Sequence, residues 1–591
     1  MSKQTKTAKP GPPPGPSVFS LLTPYRRLII LLIVFALVSN AVNLLLPKVI
    51  AGGIDAYNNT GKFGKQPYEL QKILITFLSA AVVVFIFTYL QSIVQTYSSE
   101  RVARDLRTKL AGKISNQSYA YVEQVSPSKL LTNLTADVDS IKMFVSQAIV
   151  SIASSIIIIV GICILLISIN WRLALPVMGI IPIIGGAFFL VLKKVRPIFM
   201  KSRGIIDRLN KVINESILGS ALIRVINSQQ LEYGKFILAN TEAKNLGLSI
   251  LNLFAGLIPI IIFTANMAAL TILVLGGHFV ISGTMSIGDY AAFSSYLAML
   301  IFPILVIGFM SNVIAQATAS YQRINVVLDV PDRPDTGTVT APLLGNISLN
   351  NVSVVYGQKP ALKNIDLTVE AGSKLAIIGP TAAGKTQLLY LLTALIKANE
   401  GSVEFDGRPI ETYVKESFHS QVGFVFQDSI MFNMSIRENI AFSDKVTDES
   451  LARAIATAEL KDYVDSLPQK LDSVVSERGT SLSGGQKQRI MLARALAVNP
   501  KVLLLDDFTA RVDTNTEAKI LQNVQQNYPG LTLISVTQKI ASVEHYEKVV
   551  VLMDGEIVAT GTHQELMETS PEYVQIYNSQ QSTSNYELQP Q

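Results

Sequence analysis

At 591 residues the chain is long enough for about four ordinary domains of ~150 residues. Charged residues make up 16%, against about 25% in globular proteins, and the mean hydropathy is +0.36, which excludes a chain that is soluble throughout. One cysteine, Cys163, and four histidines exclude a disulfide framework and a Cys- or His-rich metal site, and the net charge of +6 reads as basic loops beside a membrane rather than a surface for nucleic acid.

Residues 1–16 are polar and proline-rich (Pro10, Pro12, Pro13, Pro14, Pro16) and read as a disordered tail without the apolar core and cleavage site of a secretory signal. Residues 17–25, with Val18, Phe19, Leu21 and Leu22, suit a short helix on a membrane surface and a plain linker equally. Six long uncharged runs follow, at 28–47, 73–99, 148–169, 173–192, 246–277 and 290–322. Each reaches the ~20 residues a helix needs to cross ~30 Å of hydrocarbon. They predict a six-span membrane domain over 25–325, set in a lipid bilayer, with a flexible tail at 1–24.

Charge sets the expected orientation. Arg26 and Arg27 precede the first run, Arg101 to Lys113 bring five basic residues after the second, and Lys193, Lys194, Arg196, Lys201 and Arg203 follow the fourth. The connection Asn170-Trp171-Arg172 is minimal, and the loop 278–289 has no Lys or Arg. Basic loops face the cytoplasm, so both termini are expected there, with Lys62, Lys65 and Lys72 as a weak counter-signal. The long connections 100–145 and 193–245 keep helical apolar spacing, which predicts spans that continue into the cytoplasm and turn near Ser126-Pro127-Ser128-Lys129 and Gly219-Ser220-Ala221. No charge lies mid-span, which argues against an ion pathway, and Gln91 and Asn266 suit bonds between helices or contact with cargo.

A Pro/Gly-rich linker lies within 326–346, and an α/β domain over 347–577 follows, with strands at 347–356 and 365–370 and a polar tail at 578–591. The apolar run 375–378 breaks into Gly379-Pro380-Thr381-Ala382-Ala383-Gly384-Lys385-Thr386, and 388–395 reads as a buried helix. Strand, glycine loop and helix at this spacing form a P-loop. The backbone N–H groups and the helix N-terminus are expected to cradle phosphate, Lys385 adds a mobile charge, and the Thr386 hydroxyl can ligate Mg²⁺. Val502-Leu503-Leu504-Leu505-Asp506 is an apolar strand whose terminal carboxylate would hold Mg²⁺ through water near Thr386. Leu482-Ser483-Gly484-Gly485-Gln486, ahead of a helix over 488–497, is a second glycine turn at a helix N-terminus. One nucleotide does not need two such loops from one subunit. A dimer does, with each nucleotide between one P-loop and the other subunit's Ser483-Gly484-Gly485.

In this order, behind six spans, these motifs resemble an ABC exporter half-transporter of the type IV fold, multidrug-resistance type, over about 17–577. The resemblance implies a six-helix α-helical transmembrane domain followed by an α/β P-loop nucleotide-binding domain, with ATP and Mg²⁺ as cofactors. It implies that Tyr356 stacks on adenine and that Gln427 senses Mg²⁺ and faces the coupling turns. It also implies that 473–479 and Gly219 lie in coupling regions, and that Asp513 belongs to the loop crossing between subunits.

Two residues depart from the family pattern at the hydrolytic site. Asp507 stands where a Glu base is usual, and Gln538 where a switch His is usual. Glutamine donates a hydrogen bond but carries no charge and relays no proton. Ala382 replaces a frequent glycine, a change expected to be mild if φ stays negative. Because the Leu-Ser-Gly-Gly-Gln loop is intact, the pattern resembles the degenerate subunit of a heterodimeric bacterial multidrug exporter. A second ABC half-transporter would be the partner, in preference to a homodimer, and small lipophilic or amphipathic compounds the cargo. Lipid or peptide transport, a siderophore-type importer on the same fold and a low-turnover regulatory subunit are the rival readings.

Overall fold

The computed structural model describes residues 18–60, 67–331, 337–357, 359–476 and 479–587. The expected tail at 1–16, Lys62, Lys65 and most of the 330–337 linker lie outside them. The chain divides into two compact units. The helical residues up to Pro331 form one, except for Asn116–Val125, which belongs to the other with the residues beyond 332.

In the helical unit Val18 is buried and Ser20–Tyr25 is a short 3-10 helix. Phe19 meets Phe144 edge-on at 5.4 Å, and the Tyr25 hydroxyl donates to Asp105 at 2.8 Å, so this stretch is a packed element rather than a linker. Among the described residues, five helical stretches are long and apolar enough to cross a membrane: Ser20–Asn58, Gln71–Ser115, Pro127–Leu218, Gln229–Ile281 and Ile287–Leu328. The third has 92 residues, and a straight helix of that length would measure roughly 140 Å. It breaks at Asn170 (φ −157°, ψ 103°), whose side chain accepts from the backbone N–H of Arg172 at 3.0 Å and of Leu173 at 3.2 Å and so starts a new arm. Counted as two arms, this stretch brings the candidate spans among the described residues to six.

The core of this unit gathers Ile162, Leu166, Leu173, Phe293, Tyr296 and Leu300, and the buried Tyr296 hydroxyl donates to the Leu44 carbonyl at 2.8 Å. Outward-facing side chains such as Phe85, Phe189, Phe263 and Phe302 are 67–72% exposed, an apolar surface that only hydrocarbon or another apolar body covers favourably. Arg323, near the end of the last helix, donates to the buried Asp137 carboxylate at 3.0 Å and to the Ser320 hydroxyl at 3.0 Å. Both expected turns occur, but each carries a short helix: Tyr119–Val125 precedes Ser126 (φ 72°), and Ser220–Val225 follows Gly219.

The second unit holds two sheets. One is antiparallel, of order β2-β1-β4-β5, from β1 (Ile347–Tyr356), β2 (Lys359–Val369), β4 (Glu400–Phe405) and β5 (Arg408–Pro409). The other, of order β10-β9-β3-β8-β7-β6, comprises β3 (Lys374–Ile378), β6 (Val422–Val425), β7 (Val502–Asp506), β8 (Thr532–Val536), β9 (Lys548–Met553) and β10 (Glu556–Gly561). From β9 through β6 its strands are parallel, with β10 antiparallel at the edge. The parallel strands read as unbroken apolar runs because both faces are covered; every residue of β7 and β8 is buried. Strand β2 starts earlier than the expected 365, because the hairpin turn sets Tyr356 opposite Lys359 whatever the apolar content there. The polar stretch from 578 is helical to Glu587, as the continuation of the helix Pro571–Glu587.

Candidate functional site: the P-loop cavity

Sheet order explains why distant motifs meet. The P-loop follows β3, Gln538 follows β8, Asp506 ends β7 and Gln427 follows β6. These strands are neighbours and run parallel, so their C-terminal ends share one rim. A cavity of about 500 Å³ opens there, lined by P-loop residues 381–386 with Gln427, Asp506, Asp507 and Gln538.

The loop's path is fixed by close approach. A Cβ on Gly379 would lie 2.0 Å from the Leu552 carbonyl, and Gly384 takes φ 100° while a Cβ there would sit 2.6 Å from the Ala361 carbonyl. The helix Lys385–Leu392 begins immediately after Gly384. Lys385 folds back over the loop, and its Nζ donates to the carbonyls of Gly379 and Pro380 at 2.8 Å each. Burial lowers the pKa of this ammonium, opposed by the charges of Asp507 and Asp506.

Ala382 corrects the expectation of a mild change. Its φ is +69°, in the left-handed region, where an L-residue costs about 1–2 kcal/mol. The loop demands a glycine-like backbone at 382, and alanine supplies it under strain.

Asp506 is 2% exposed, and burial raises its pKa, partly offset by the hydrogen bond from Thr386. Its Oδ2 is buried without a hydrogen-bond partner. An orphaned carboxylate oxygen beside a hydroxyl, with Gln427 on the same wall, is a donor set that fits a hard cation such as Mg²⁺. Among the described residues no group of three His, Cys, Asp or Glu could hold a metal alone.

Asp507 also sits in the left-handed region (φ 49°, ψ 36°), with its N–H donating to the Val536 carbonyl at 3.0 Å. This turn aims the carboxylate at the cavity that Gln538 lines from the β8 side. Tyr356 does not line the cavity. It is 47% exposed, and its hydroxyl donates to Gln387 Oε1 at 2.7 Å, which ties it to the first turn of the P-loop helix.

Ser483, Gly484, Gly485 and Gln486 are not brought to this cavity. Ser483 caps the helix Gly484–Ala497, which starts earlier than the expected 488 because Ser483 and Gln486 close a reciprocal capping box. A Cβ on Gly485 would lie 2.9 Å from the Arg511 carbonyl.

Three features escape the sequence reading. Gln387 lines the cavity and holds Tyr356, and its only signal is its place one residue after Thr386. Lys359 and Lys363 add cations to the wall with no motif to mark them. The Asp554-Gly555 turn props the loop from behind: the Gly555 N–H donates to the Ala383 carbonyl at 3.1 Å, and its carbonyl accepts from the Lys363 N–H at 2.8 Å. An Asp-Gly pair between apolar runs is a legible hairpin signal.

Comparison with known proteins agrees with this architecture. Residues 29–304 match the family described as ABC transporter transmembrane region, and 362–510 the family described as ABC transporter. The uncharacterized ABC transporter ATP-binding protein YfiB of Bacillus subtilis (strain 168) is 31% identical over 568 residues, 95% of this chain and 98% of that one. The probable multidrug resistance ABC transporter ATP-binding/permease protein YheI of the same organism is 29% identical, covering 93% and 94%. The ATP-dependent lipid A-core flippase of Syntrophus aciditrophicus (strain SB) is 29% identical, covering 83% of each. A solved bacterial Atm1-family ABC exporter with ATP bound shares the fold, with a TM-score of 0.78 over 94% of this chain and 99% of that one at 22% identity. The chain thus belongs to the ABC transporter family, as an exporter-type half-transporter in which a multi-pass helical domain precedes an ATPase domain that couples ATP hydrolysis to transport.

Proposed function

We propose that this chain is the ATP-holding half of a heterodimeric exporter of lipophilic or amphipathic compounds. The observation that carries the proposal is that Asp507 and Gln538 line the same cavity as Lys385, Thr386 and Asp506. Both departures fall on one phosphate site, while the loop 482–486 is intact.

In this reading Tyr356 stacks on adenine, the backbone from Gly379 through Thr386 and the Lys385 ammonium hold the phosphates, and Thr386, Gln427 and Asp506 hold Mg²⁺. The bound cation supplies neutralisation of the phosphate oxygens. The Asp507 carboxylate stands roughly 1.5 Å short of a glutamate's reach, and a misplacement of ~1 Å costs about 10²-fold in rate. Gln538 donates a neutral hydrogen bond toward the γ-phosphate and moves no proton. The chain's own residues therefore bind ATP well and cleave it slowly. Ser483, Gly484, Gly485 and Gln486 close over the partner subunit's nucleotide, where a Glu and a His carry the fast chemistry. A homodimer would impair both sites and waste both loops.

The domain limits 25–325, 326–346 and 347–577 and the cytoplasmic placing of both termini, in the cytoplasmic membrane, belong to the same proposal. Relatives named for multidrug resistance and for lipid A-core flipping support a lipophilic or amphipathic cargo.

The test is co-expression with a co-encoded second half-transporter. The pair should hydrolyse ATP, Lys385→Ala in this chain should lower the rate only partly, and this chain alone should turn over slowly. Asp507→Glu with Gln538→His should raise hydrolysis by this chain alone at least tenfold. Full transporter rates from this chain alone would overturn the heterodimer. Inside-out vesicles that fail to accumulate a lipophilic dye with ATP would favour import or a regulatory role.

A further inference from the structure

We propose that Gln580, on the last helix, is a positioning residue that pins the loop carrying Gln538 and so sets how long this site retains ATP. The inference rests on the reading that this chain's P-loop holds ATP.

The helix Pro571–Glu587 packs by a stripe at helical spacing. Tyr573 is fully buried, with its hydroxyl 2.7 Å from His563 Nδ1, and Ile576 and Tyr577 pack partly buried against the core below the parallel sheet. Positions 573, 576 and 577 lead to 580 on the same face, where the pattern calls for another apolar residue. The residue there is glutamine, and both ends of its amide are engaged. Its Nε2 donates to the Gln538 carbonyl, and its Oε1 accepts from the Ile540 N–H at 3.0 Å. One primary amide thus grips a backbone carbonyl and the N–H two residues later, as a neighbouring strand would.

The grip completes the anchoring of the loop. Thr537 pairs with the Thr509 hydroxyl at 3.3 Å, and Lys539 reaches the Thr509 carbonyl through its Nζ at 3.2 Å, so both neighbours of Gln538 are tied to the segment after Asp507. The main chain of Gln538 itself is tied to the last helix, and the residue lines the P-loop cavity. With all three residues anchored, Gln538 keeps one place in the wall whatever the phosphate does. A fixed neutral donor suits retention of a triphosphate more than its turnover.

The test uses the full chain with radiolabelled 8-azido-ATP and Mg²⁺. Bound label is chased with excess ATP, photolysed at intervals and counted on this chain's band. Gln580→Ala should speed loss of label about fivefold, the worth of one ordinary hydrogen bond. Gln580→Glu keeps the acceptor for Ile540 but loses the donor for Gln538, so it should also speed loss; it carries the comparison if the alanine variant folds poorly. In a Gln538→Ala background neither change should have a further effect. Unchanged loss, or equal acceleration in both backgrounds, overturns the proposal, since a merely structural role acts with or without the Gln538 side chain. The rate of the unsubstituted chain answers a separate question: rapid loss there sinks the ATP-holding reading, while the variant-to-parent ratio still decides Gln580.

Discussion

Alanine at φ +69° makes Ala382 a cost built into the phosphate loop. The left-handed conformation costs an L-residue about 1–2 kcal/mol, and glycine would add about 0.5–1 kcal/mol of chain entropy to fix. The difference leaves Ala382→Gly stabilising by about 0–1.5 kcal/mol, to be read as a small rise in the thermal midpoint of the purified chain; a fall would show that the methyl makes a contact worth more than the strain. Asp506 gives a second prediction with a definite sign. Burial raises its folded pKa above the unfolded carboxylate value. Its contribution to stability is fully present below the unfolded pKa and is lost as pH rises through the folded one. Asp506→Asn should therefore raise the midpoint without added nucleotide at pH 7.5, by an amount that shrinks toward pH 4. The same change should abolish the extra stabilisation given by ATP with Mg²⁺. A variant destabilised at pH 7.5 would count against the orphaned oxygen as a burdened group.

At the scale of elements, the short helix Tyr119–Val125 is the notable piece, because it belongs to the ATPase unit although its sequence neighbours are membrane helices. Tyr119 meets Tyr390 edge-on at 5.4 Å, and Tyr390 lies on the P-loop helix and contacts Phe424 and Phe426 beside Gln427. One aromatic cluster thus joins the short helix to the P-loop helix and to the strand end that leads into Gln427. Edge-to-face pairs are worth about 0.5–1.5 kcal/mol, so Tyr119→Ala should weaken cargo stimulation of ATPase activity several-fold while sparing basal hydrolysis. Equal loss of basal activity would show damage to the fold instead. The sequence places turns near 126 and 219 from apolar spacing but misses these short helices. What makes Tyr119–Val125 an element is contact with Tyr390, hundreds of residues along the chain.

At the scale of the molecule, what is legible follows from what chemistry fixes. A phosphate cradle needs glycines and a lysine at set spacing, and a bilayer needs about twenty apolar residues per span, so both architectures are visible without coordinates. What long-range packing fixes is not visible: Tyr356 bonded to Gln387, Gln580 on the 538 loop, and the backbone sign at Ala382. Orientation has a direct test. With Cys163 replaced by serine, Thr284→Cys, in the loop proposed to face outward, should react with a membrane-impermeant maleimide on intact cells, and Ser220→Cys should not. The reverse pattern would invert the topology. Parity also follows from the break at Asn170. A chain that crosses a sheet of lipid an even number of times ends on the side where it began, and an odd number strands it on the other. Without that one non-helical residue, two arms would run on as a single over-long rod and the count would turn odd. In the proposed topology the break at Asn170 thus returns the ATPase domain to the side of the membrane on which the first span begins.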